Sequence, residues 1–470
     1  MTNNSPAAPG ASGHATAANG SLHGLEVYLQ KRMLRILLLG MISGFPWVLI
    51  GSALTLWLQE EGLSRSTIGW ASLIFGVYAI NFWWAPLIDR IRIPWLTEKV
   101  GHRKSWILTL QLIIFVSLLA WSFVNPTDNL ALVIGIGLII AISSASQDIT
   151  INALRIEQVH ESDTASMAAG AAMAVVGWWT GYKLGGAFAL FAADYFQQAG
   201  NPAYWQQTFL VLTGLMLIMN LLLLLIPEES AKAREALQAQ DQNAVAGRLG
   251  ADGPLTRIVS WITATILAPL TSFFRKNGVA IGIAILSFIL LFKIGEAFMG
   301  KMSLVFYKEL GFSKRDIAIF SKSFGWITTI VFTLLGGWFA IRAGVVKALF
   351  LAGIAMAATN LMFTLLAEVG PNNYLFATAV IIDDIAAAFA TVAFVTFISL
   401  LVDRTYTATQ YALLASIGTA GRTFLAASSG ELVDWLEGDW GIFFIITALM
   451  VIPSLIILWF IRNRLKLQQA

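Results

Sequence analysis

The sequence predicts an all-α integral membrane protein of about twelve transmembrane helices arranged as two six-helix bundles. Three observations predict this class. The 470 residues are 57% hydrophobic and only 12% charged, which is more apolar than the surface of a water-soluble protein allows. Apolar runs recur along the chain at the length of about 20 residues that a helix needs to cross a bilayer. Basic residues gather in alternate loops, as they do in membrane proteins.

The apolar runs fall into two groups of six, one in each half of the chain. In the first half they cover residues 33–58, 68–88, 106–123, 130–151, 165–191 and 208–226. In the second half they cover residues 278–305, 317–340, 345–367, 374–402, 408–430 and 441–461. We therefore predict an N-terminal bundle over residues 33–226 and a C-terminal bundle over residues 278–462.

Three segments lie outside the two bundles. Residues 1–32 are rich in small and polar residues and lack a basic start followed by an apolar run, which predicts a disordered tail and not a cleaved signal peptide. Residues 227–277 form a linker with an uncharged run at 258–274. We interpret this run as an interfacial amphipathic helix, with an extra span as the alternative. Residues 463–470 form a second tail.

The distribution of positive charge predicts the orientation of the chain. Lys and Arg are frequent before the first span, in alternate loops and after the last span, whereas the remaining loops hold few. Because cytoplasmic loops carry this excess, both termini are predicted to be cytoplasmic. The same asymmetry accounts for the net charge of +3, so we expect no nucleic-acid partner.

Composition and motifs exclude several kinds of chemistry. The chain has no cysteine, which excludes disulfides, thiolate metal sites and cysteine nucleophiles. Its four histidines have no metal-ligand spacing, and no Gly-rich phosphate loop is present. We therefore expect no metal, no ATP and no other cofactor. A membrane-embedded enzyme is the distant alternative, but the sequence offers no nucleophile-and-base set.

An internal repeat relates the two bundles. The separation of Gly101 from Ala165 at the head of the fifth span equals that of Gly344 from Ala408 at the head of the eleventh. Both glycines follow loops that carry basic residues. Each half thus keeps the same internal spacing, which favours two bundles that rock against each other.

The loop after the second span contains the acidic-basic pair Asp89 and Arg90, followed by a basic cluster that includes Arg103. This arrangement resembles the cytoplasmic loop signature of the major facilitator superfamily, lengthened here by an insertion at residues 91–100. We interpret Asp89, Arg90 and Arg103 as a structural latch with a gating role in alternating access, and not as substrate contacts.

Several charged residues lie within predicted spans, where a charge costs at least a few kcal/mol and usually faces a cavity or a partner. They are Asp148 near the cytoplasmic end of the fourth span, Lys183 in the fifth, Lys293 and Glu296 in the seventh, Asp383 and Asp384 in the tenth, and Arg422 in the eleventh. All except Asp148 are expected at mid-depth or in the outer half.

Three carboxylates are candidates for proton coupling. Glu296 lies three residues from Lys293 and shares its helical face, so the two residues form either a neutral ion pair or a pair in which protonation of the acid frees the lysine. Asp383 and Asp384 have no basic residue within one turn. Each acid could gain and lose a proton as the site alternates between the two membrane faces.

Lys183 and Arg422 occupy nearly matching places in the two repeats. Because Arg grips a carboxylate with two hydrogen bonds and Lys acts as a point charge, the pair predicts a clamp for an anionic substrate, with Lys293 as a further cation. The alternative is an ion pair of these cations with an acid of the second bundle. The aromatic residues Trp178, Trp179 and Tyr182 lead up to Lys183 and could stack on sugar rings.

Motifs in both halves resemble the AmpG muropeptide permeases of Gram-negative bacteria. The resemblance extends from about residue 34 to 461 and is strongest at residues 143–149 (SSASQDI), 181–185 (GYKLG), 293–298 (KIGEAF) and 408–414 (ATQYALL) followed by Gly421 and Arg422, with support from residues 44–46 (GFP) and 84–90 (WAPLIDR). Within these motifs we interpret Gln147, Asp148 and Gln410 as gating or structural residues. The chain departs from the family pattern at Lys183, where Arg is common, and at Glu296, where Asp is usual.

The resemblance implies a major facilitator fold and a substrate class. Members of the family import N-acetylglucosaminyl-1,6-anhydro-N-acetylmuramyl peptides from periplasm to cytosol, driven by the proton gradient, for peptidoglycan recycling, and thereby indirectly support induction of β-lactamase. It implies a monomer in the lipid bilayer of the inner membrane, with the anhydromuropeptide and protons as partners. Another facilitator-type anion symporter, such as an acetyl-CoA or siderophore transporter, is the alternative.

Overall fold

The structure, a computed structural model, describes residues 26–63, 71–160, 163–228, 236–240, 242–244, 254–312 and 325–465. All regular secondary structure in these ranges is helical, so the predicted all-α class is confirmed. Most of the predicted N-terminal tail, most of the C-terminal tail and parts of the linker lie outside the described residues.

The N-terminal bundle contains α1 to α6. Two of these helices are irregular: α1 widens into a π turn at Val48–Ala53, and α2 is built of short segments. The helices are α1 (Lys31–Glu60), α2 (Ser72–Gly76, Val77–Ile80, Asn81–Trp83 and Ala85–Arg90), α3 (His102–Trp121), α4 (Leu130–Glu157), α5 (Thr164–Gln198) and α6 (Tyr204–Leu223).

The C-terminal bundle contains α7 to α12 and is preceded by a helix at Pro254–Asn277, which we call the linker helix. The six helices are α7 (Val279–Leu291 and Ile294–Glu309), α8 (Gly325–Ala343), α9 (Val345–Val369), α10 (Asn373–Leu401), α11 (Thr407–Ala420, Gly421–Leu425, Ala426–Ser428 and Ser429–Trp435) and α12 (Trp440–Leu449 and Ile452–Ile461). Each predicted span overlaps one of these twelve helical regions, although residues 68–70 of the second span and 317–324 of the eighth lie outside the described residues.

Eight helices among the described residues are long and apolar enough to cross a membrane on length and composition alone. They include α1, α4 and α10, and the linker helix is not one of them. The linker helix packs on the C-terminal bundle through its second half, where the backbone carbonyl of Pro269 accepts a hydrogen bond from Gln410. Its interfacial position stays a prediction.

Two helices of the N-terminal bundle extend beyond the predicted apolar runs. Helix α4 continues to Glu157 and α5 to Gln198, whereas the predicted spans end at residues 151 and 191. Both extensions are polar, so hydropathy alone does not detect them. The start of α5 is fixed by Asp163, whose side chain accepts a hydrogen bond from the backbone nitrogen of Ser166, as N-cap residues do.

Helices α1 and α5 approach each other closely because glycines line their contact. A Cβ atom at Gly40 would overlap the carbonyl oxygen of Ala174, and one at Gly44 would overlap that of Trp178. Gly181 has the same relation to the backbone of α1. Small residues four apart allow membrane helices to pack backbone against backbone, so these glycines hold Trp178 in place relative to α1.

We predict that Gly44→Ala destabilises the protein. The added methyl group must displace the backbone of α5, and overpacking of this kind costs about 1–3 kcal/mol. The check is the thermal unfolding midpoint of the purified protein. Gly214→Ala is the matched control, since a Cβ at that position meets no atom within 4 Å and a helical Ala is favoured over Gly. Equal midpoints for the two variants would contradict the tight contact.

Candidate functional site

A cavity of about 530 Å³ lies between the two bundles. Its volume falls within the range of about 300–1,000 Å³ that is typical of sites for small molecules. The N-terminal bundle contributes Gly40, Ser43, Asp148, Ile151, Asn152, Ala174, Val175, Trp178 and Trp179. The C-terminal bundle contributes Lys293, Glu296, Thr329, Thr333, Asp384, Ala387, Ala388, Thr391, Val395, Tyr411 and Arg422. We call this space the main cavity.

An ion pair lies on the wall that α7 contributes to the main cavity. The Nζ atom of Lys293 is 3.0 Å from Oε2 of Glu296 and also donates a hydrogen bond of 3.0 Å to Oγ1 of Thr391 on α10. Lys293 lies in the break between the two segments of α7 and is only 6% exposed. The lysine is therefore held by one acid and one hydroxyl group.

The two adjacent aspartates of α10 have different surroundings. Asp384 lines the main cavity. Asp383 instead accepts a hydrogen bond of 2.9 Å from Oγ1 of Thr359 on α9. Consecutive residues on a helix do not share a face, so one acid of the predicted pair faces the cavity and the other faces α9.

The predicted cation clamp is only half assembled at the cavity wall. Arg422 lies in the π turn at Gly421–Leu425 and lines the main cavity. Lys183 is not among the lining residues, because its Nζ atom lies over the rings of Trp179 and Tyr182, at 5.7 and 5.9 Å from their centroids. The cation that shares the cavity with Arg422 is Lys293.

Asp148 lies in the second half of α4, nine residues before the end of the helix. Because α4 continues to Glu157, about 13 Å of helix separate Asp148 from the helix end at 1.5 Å per residue. Its carboxylate accepts a hydrogen bond from the hydroxyl group of Ser43 on α1 and lines the main cavity. The neighbouring Gln147 is buried and donates to the carbonyl oxygen of Ile42, which ties α4 to α1.

At one end of the cavity, a buried aspartate joins the two bundles. Asp89 accepts hydrogen bonds from Nη2 of Arg103 at 2.7 Å and from the backbone nitrogen of Thr409 at 2.8 Å, at the N-terminus of α11. A carboxylate at a helix N-terminus interacts favourably with the helix dipole. Arg103 also pairs with Glu157 at 2.9 Å. No hydrogen bond joins Arg90 to this group within the described residues. We call this end of the molecule the latch end.

Two arginines strengthen the latch end. Arg404 donates to the carbonyl oxygens of Ile156 and Val159, which lie at the end of α4. Arg155 is 1% exposed and donates from Nη2 to Oγ of Ser399 on α10 at 2.8 Å. Arg155 lies in the last turn of α4 and contacts the other bundle.

The start of α3 is capped by a carboxylate from another part of the chain. Glu228, which follows α6, accepts hydrogen bonds from the backbone nitrogens of Arg103 at 2.8 Å and Lys104 at 2.9 Å. Burial raises the pKa of Glu228, although these two donors favour its charged form. Gly101 precedes the helix with φ of 104°, and a Cβ there would overlap the Glu228 carboxylate, so the capping contact requires glycine at this position.

The comparisons with known proteins agree with this architecture. Residues 36–321 match the family model described as Major Facilitator Superfamily. The protein named AmpG 4 of Rickettsia conorii is 31% identical over 441 residues, which are 94% of this chain and 99% of that protein. The chain belongs to the AmpG family of the major facilitator superfamily. The anhydromuropeptide permease of Escherichia coli K12 is 28% identical over 94% of this chain and 82% of that protein.

Solved structures that resemble this AmpG-family chain show the fold. The transporter FucP in its outward conformation has a TM-score of 0.62 at 15% identity and covers 93% of this chain and 99% of its own. The proton:xylose symporter XylE, bound to a bromodeoxyglucose, has the same score and identity and covers 92% of this chain and 96% of its own. Because the chain belongs to the AmpG family of the major facilitator superfamily, it is a multi-pass membrane transporter and not an enzyme.

We predict that Asp89→Asn opens the latch end. The substitution removes the charge that binds Arg103 and caps α11. A hydrogen bond to a charged group contributes about 1.5–3 kcal/mol, and the lower end of this range corresponds to roughly a tenfold shift in population. Because the chain has no cysteine, a single Ile151→Cys background reports access to the cavity. Its labelling by an impermeant maleimide from the latch side should rise about tenfold.

The matched control is Asp439→Asn, which removes another helix-capping carboxylate that accepts a hydrogen bond from the backbone nitrogen of Ile442. Asp439 lies outside the latch, so labelling of Ile151→Cys should keep its original rate. Equal labelling rates with and without Asp89→Asn would show that this carboxylate does not hold the bundles together.

Proposed function

We propose that the chain imports N-acetylglucosaminyl-1,6-anhydro-N-acetylmuramyl peptides from periplasm to cytosol across the inner membrane of a Gram-negative bacterium. The observation that carries this proposal is similarity over nearly the whole chain to a protein named anhydromuropeptide permease. In this proposal the chain acts as a monomer with both termini and the latch end in the cytosol, and its activity serves peptidoglycan recycling and, indirectly, β-lactamase induction.

The charged wall of the main cavity fits an anionic peptide. Arg422 is exposed in the cavity and offers a guanidinium group that binds a carboxylate with two hydrogen bonds. Lys293 provides a second cation on the same wall. The Nζ atom of Lys183 lies over the ring of Trp179, and Lys183 does not line the main cavity in this conformation. We assign Lys183 a contact with the substrate that forms as the bundles close.

We predict that the chain restores uptake of labelled anhydromuropeptide to a host that lacks its own permease, and that Arg422→Gln lowers affinity about tenfold or more. The expected loss follows from removal of a charge-assisted contact. Lys183→Gln should weaken binding as well. Arg462→Gln is the matched control, because that guanidinium lies over Trp459 and away from the cavity.

The same uptake assay tests the alternative substrates. Accumulation of an acetyl-CoA-type thioester or a siderophore, with no uptake of the anhydromuropeptide, would replace the proposed substrate by one of these anions. Wild-type affinity in both Arg422→Gln and Lys183→Gln would contradict the carboxylate clamp while leaving the substrate class intact.

We also infer that a carboxylate of the C-terminal bundle couples transport to protons. Protonation of Glu296 would release the ammonium group of Lys293 for the substrate, and loss of the proton would restore the ion pair and displace the substrate. Asp384 faces the same cavity, and Asp383 lies beside it on the same helix. A titrating group in this position can bind a proton from one side of the membrane and release it to the other.

We predict that a neutral residue at the coupling site abolishes accumulation driven by a pH gradient but leaves exchange of substrate across the membrane intact. The variants are Glu296→Gln, Asp384→Asn and Asp383→Asn, with Asp194→Asn, an exposed acid, as the control. The measurement compares proteoliposome exchange with gradient-driven uptake. An acid with a purely structural role would instead lose folded yield and exchange together, since removal of a partner leaves a buried charge unpaired. Accumulation in all three variants would refute the coupling proposal.

A further inference from the structure

A second, smaller cavity of about 200 Å³ adjoins the main cavity. The two spaces share Asp148, Tyr411 and Arg422 in their walls, so they form two lobes of one site. The smaller lobe lies between α1, α2, α4 and α11. Its other side chains are uncharged: Trp47 and Tyr78 are aromatic, Asn81, Ser416 and Thr419 are polar, and Ile149, Ala412 and Ala415 are aliphatic.

Aromatic rings form a continuous surface from one lobe to the other. The ring centroid of Trp47 lies 4.7 Å from that of Tyr78 in the smaller lobe and 5.5 Å from that of Trp178 on the wall of the main cavity. Trp178 in turn contacts Trp179 at 5.1 Å and Tyr182 at 5.5 Å. All five rings belong to the N-terminal bundle, and the glycine contact between α1 and α5 holds Trp47 of α1 close to Trp178 of α5.

The charged groups of the main cavity come mostly from the other bundle. Lys293, Glu296, Asp384 and Arg422 all belong to the C-terminal bundle, whereas the N-terminal bundle contributes Asp148, whose carboxylate already accepts a hydrogen bond from Ser43. The site therefore has one aromatic wall and one ionic wall that face each other.

These two walls match the two chemical parts of the proposed substrate. A pyranose ring has apolar C–H faces, which pack on aromatic rings, and a rim of hydroxyl and acetamido groups, which needs uncharged donors and acceptors such as those of Asn81, Ser416 and Thr419. The carboxylates and amine of a peptide need ionic partners instead. A few convergent polar groups on an otherwise aromatic surface are the usual features of a site that orients its ligand.

We propose that the saccharide lies along the aromatic wall, with one pyranose ring in the smaller lobe between α1, α2, α4 and α11, and that the peptide points to the ionic wall formed by α7 and α10. This inference rests on the proposed function and adds the orientation of the substrate within the site. It assigns Trp47, Tyr78 and Asn81 to sugar recognition. Specificity for the sugar and specificity for the peptide are then carried by different walls of the site.

The test measures competition against a labelled disaccharide-peptide by two fragments. One is the neutral disaccharide with its lactyl carboxyl group amidated, and the other is the free peptide of the same sequence. Trp178→Leu removes part of the aromatic wall, and Ala415→Leu fills the smaller lobe without altering charge. We expect each to weaken competition by the disaccharide about tenfold or more and to leave that of the free peptide within about twofold.

Lys293→Gln should give the opposite result, with weaker competition by the peptide and little change for the disaccharide, because Lys293 lines the main cavity and not the smaller lobe. Trp83→Leu is the control for loss of a tryptophan, because that side chain is 74% exposed and lies outside both lobes. Unchanged binding of the free peptide shows that a variant is folded.

If Trp178→Leu and Ala415→Leu weaken binding of the peptide as much as binding of the disaccharide, or leave binding of the disaccharide unchanged, the proposed orientation is wrong. If the wild-type chain fails to bind the intact disaccharide-peptide, the proposed function itself fails.

Discussion

A bilayer does not solvate charge, and this constraint decides where the charged side chains of the spans lie. Lys293 pairs with Glu296 and Thr391 between α7 and α10, and Asp148 is held by Ser43 between α1 and α4. Each lies where two helices meet or on the cavity between the bundles. Because these positions need polar partners from another helix, the charges fix how the helices pack as well as what the cavity can bind.

The arrangement of the latch end follows from the same constraint. Asp89 satisfies a guanidinium group of its own bundle and the free backbone nitrogens at the start of α11 in the other. One carboxylate therefore binds partners from both bundles. Arg155 and Arg404 add polar contacts between the bundles. These contacts surround an apolar cluster in which Ile88 and Ile149 pack against Ala408 and Ala412 of α11.

Much of the fold could be predicted because a bilayer imposes a minimum length of apolar helix. The positions of the twelve predicted spans follow from the length of the apolar runs. The pairing of Lys293 with Glu296 is compatible with their spacing of three residues on one helix. The contact between Arg155 and Ser399 could not be predicted, because the two residues lie on helices that are distant in sequence. The continuation of α4 beyond Asp148 to Glu157 was missed because these last turns include polar residues. Two features could not be predicted: the position of Lys183 over the rings of Trp179 and Tyr182, and the presence of the smaller lobe. Both depend on how the helices are rotated about their axes, and no local sequence pattern gives this rotation.

The π turns in α1 and α11 bear on how this family can vary. Each holds its hydrogen bonds one residue further apart than an α-helix does, so it stores one extra residue within an otherwise regular helix. Deletion of that residue would return the segment to the α form without breaking it. In α11 the change would rotate everything beyond Gly421, Arg422 included, by about 100° relative to the cavity at 3.6 residues per turn. A relative with a one-residue gap in the alignment at this point would therefore direct the equivalent arginine away from the cavity, although the arginine is still present in its sequence.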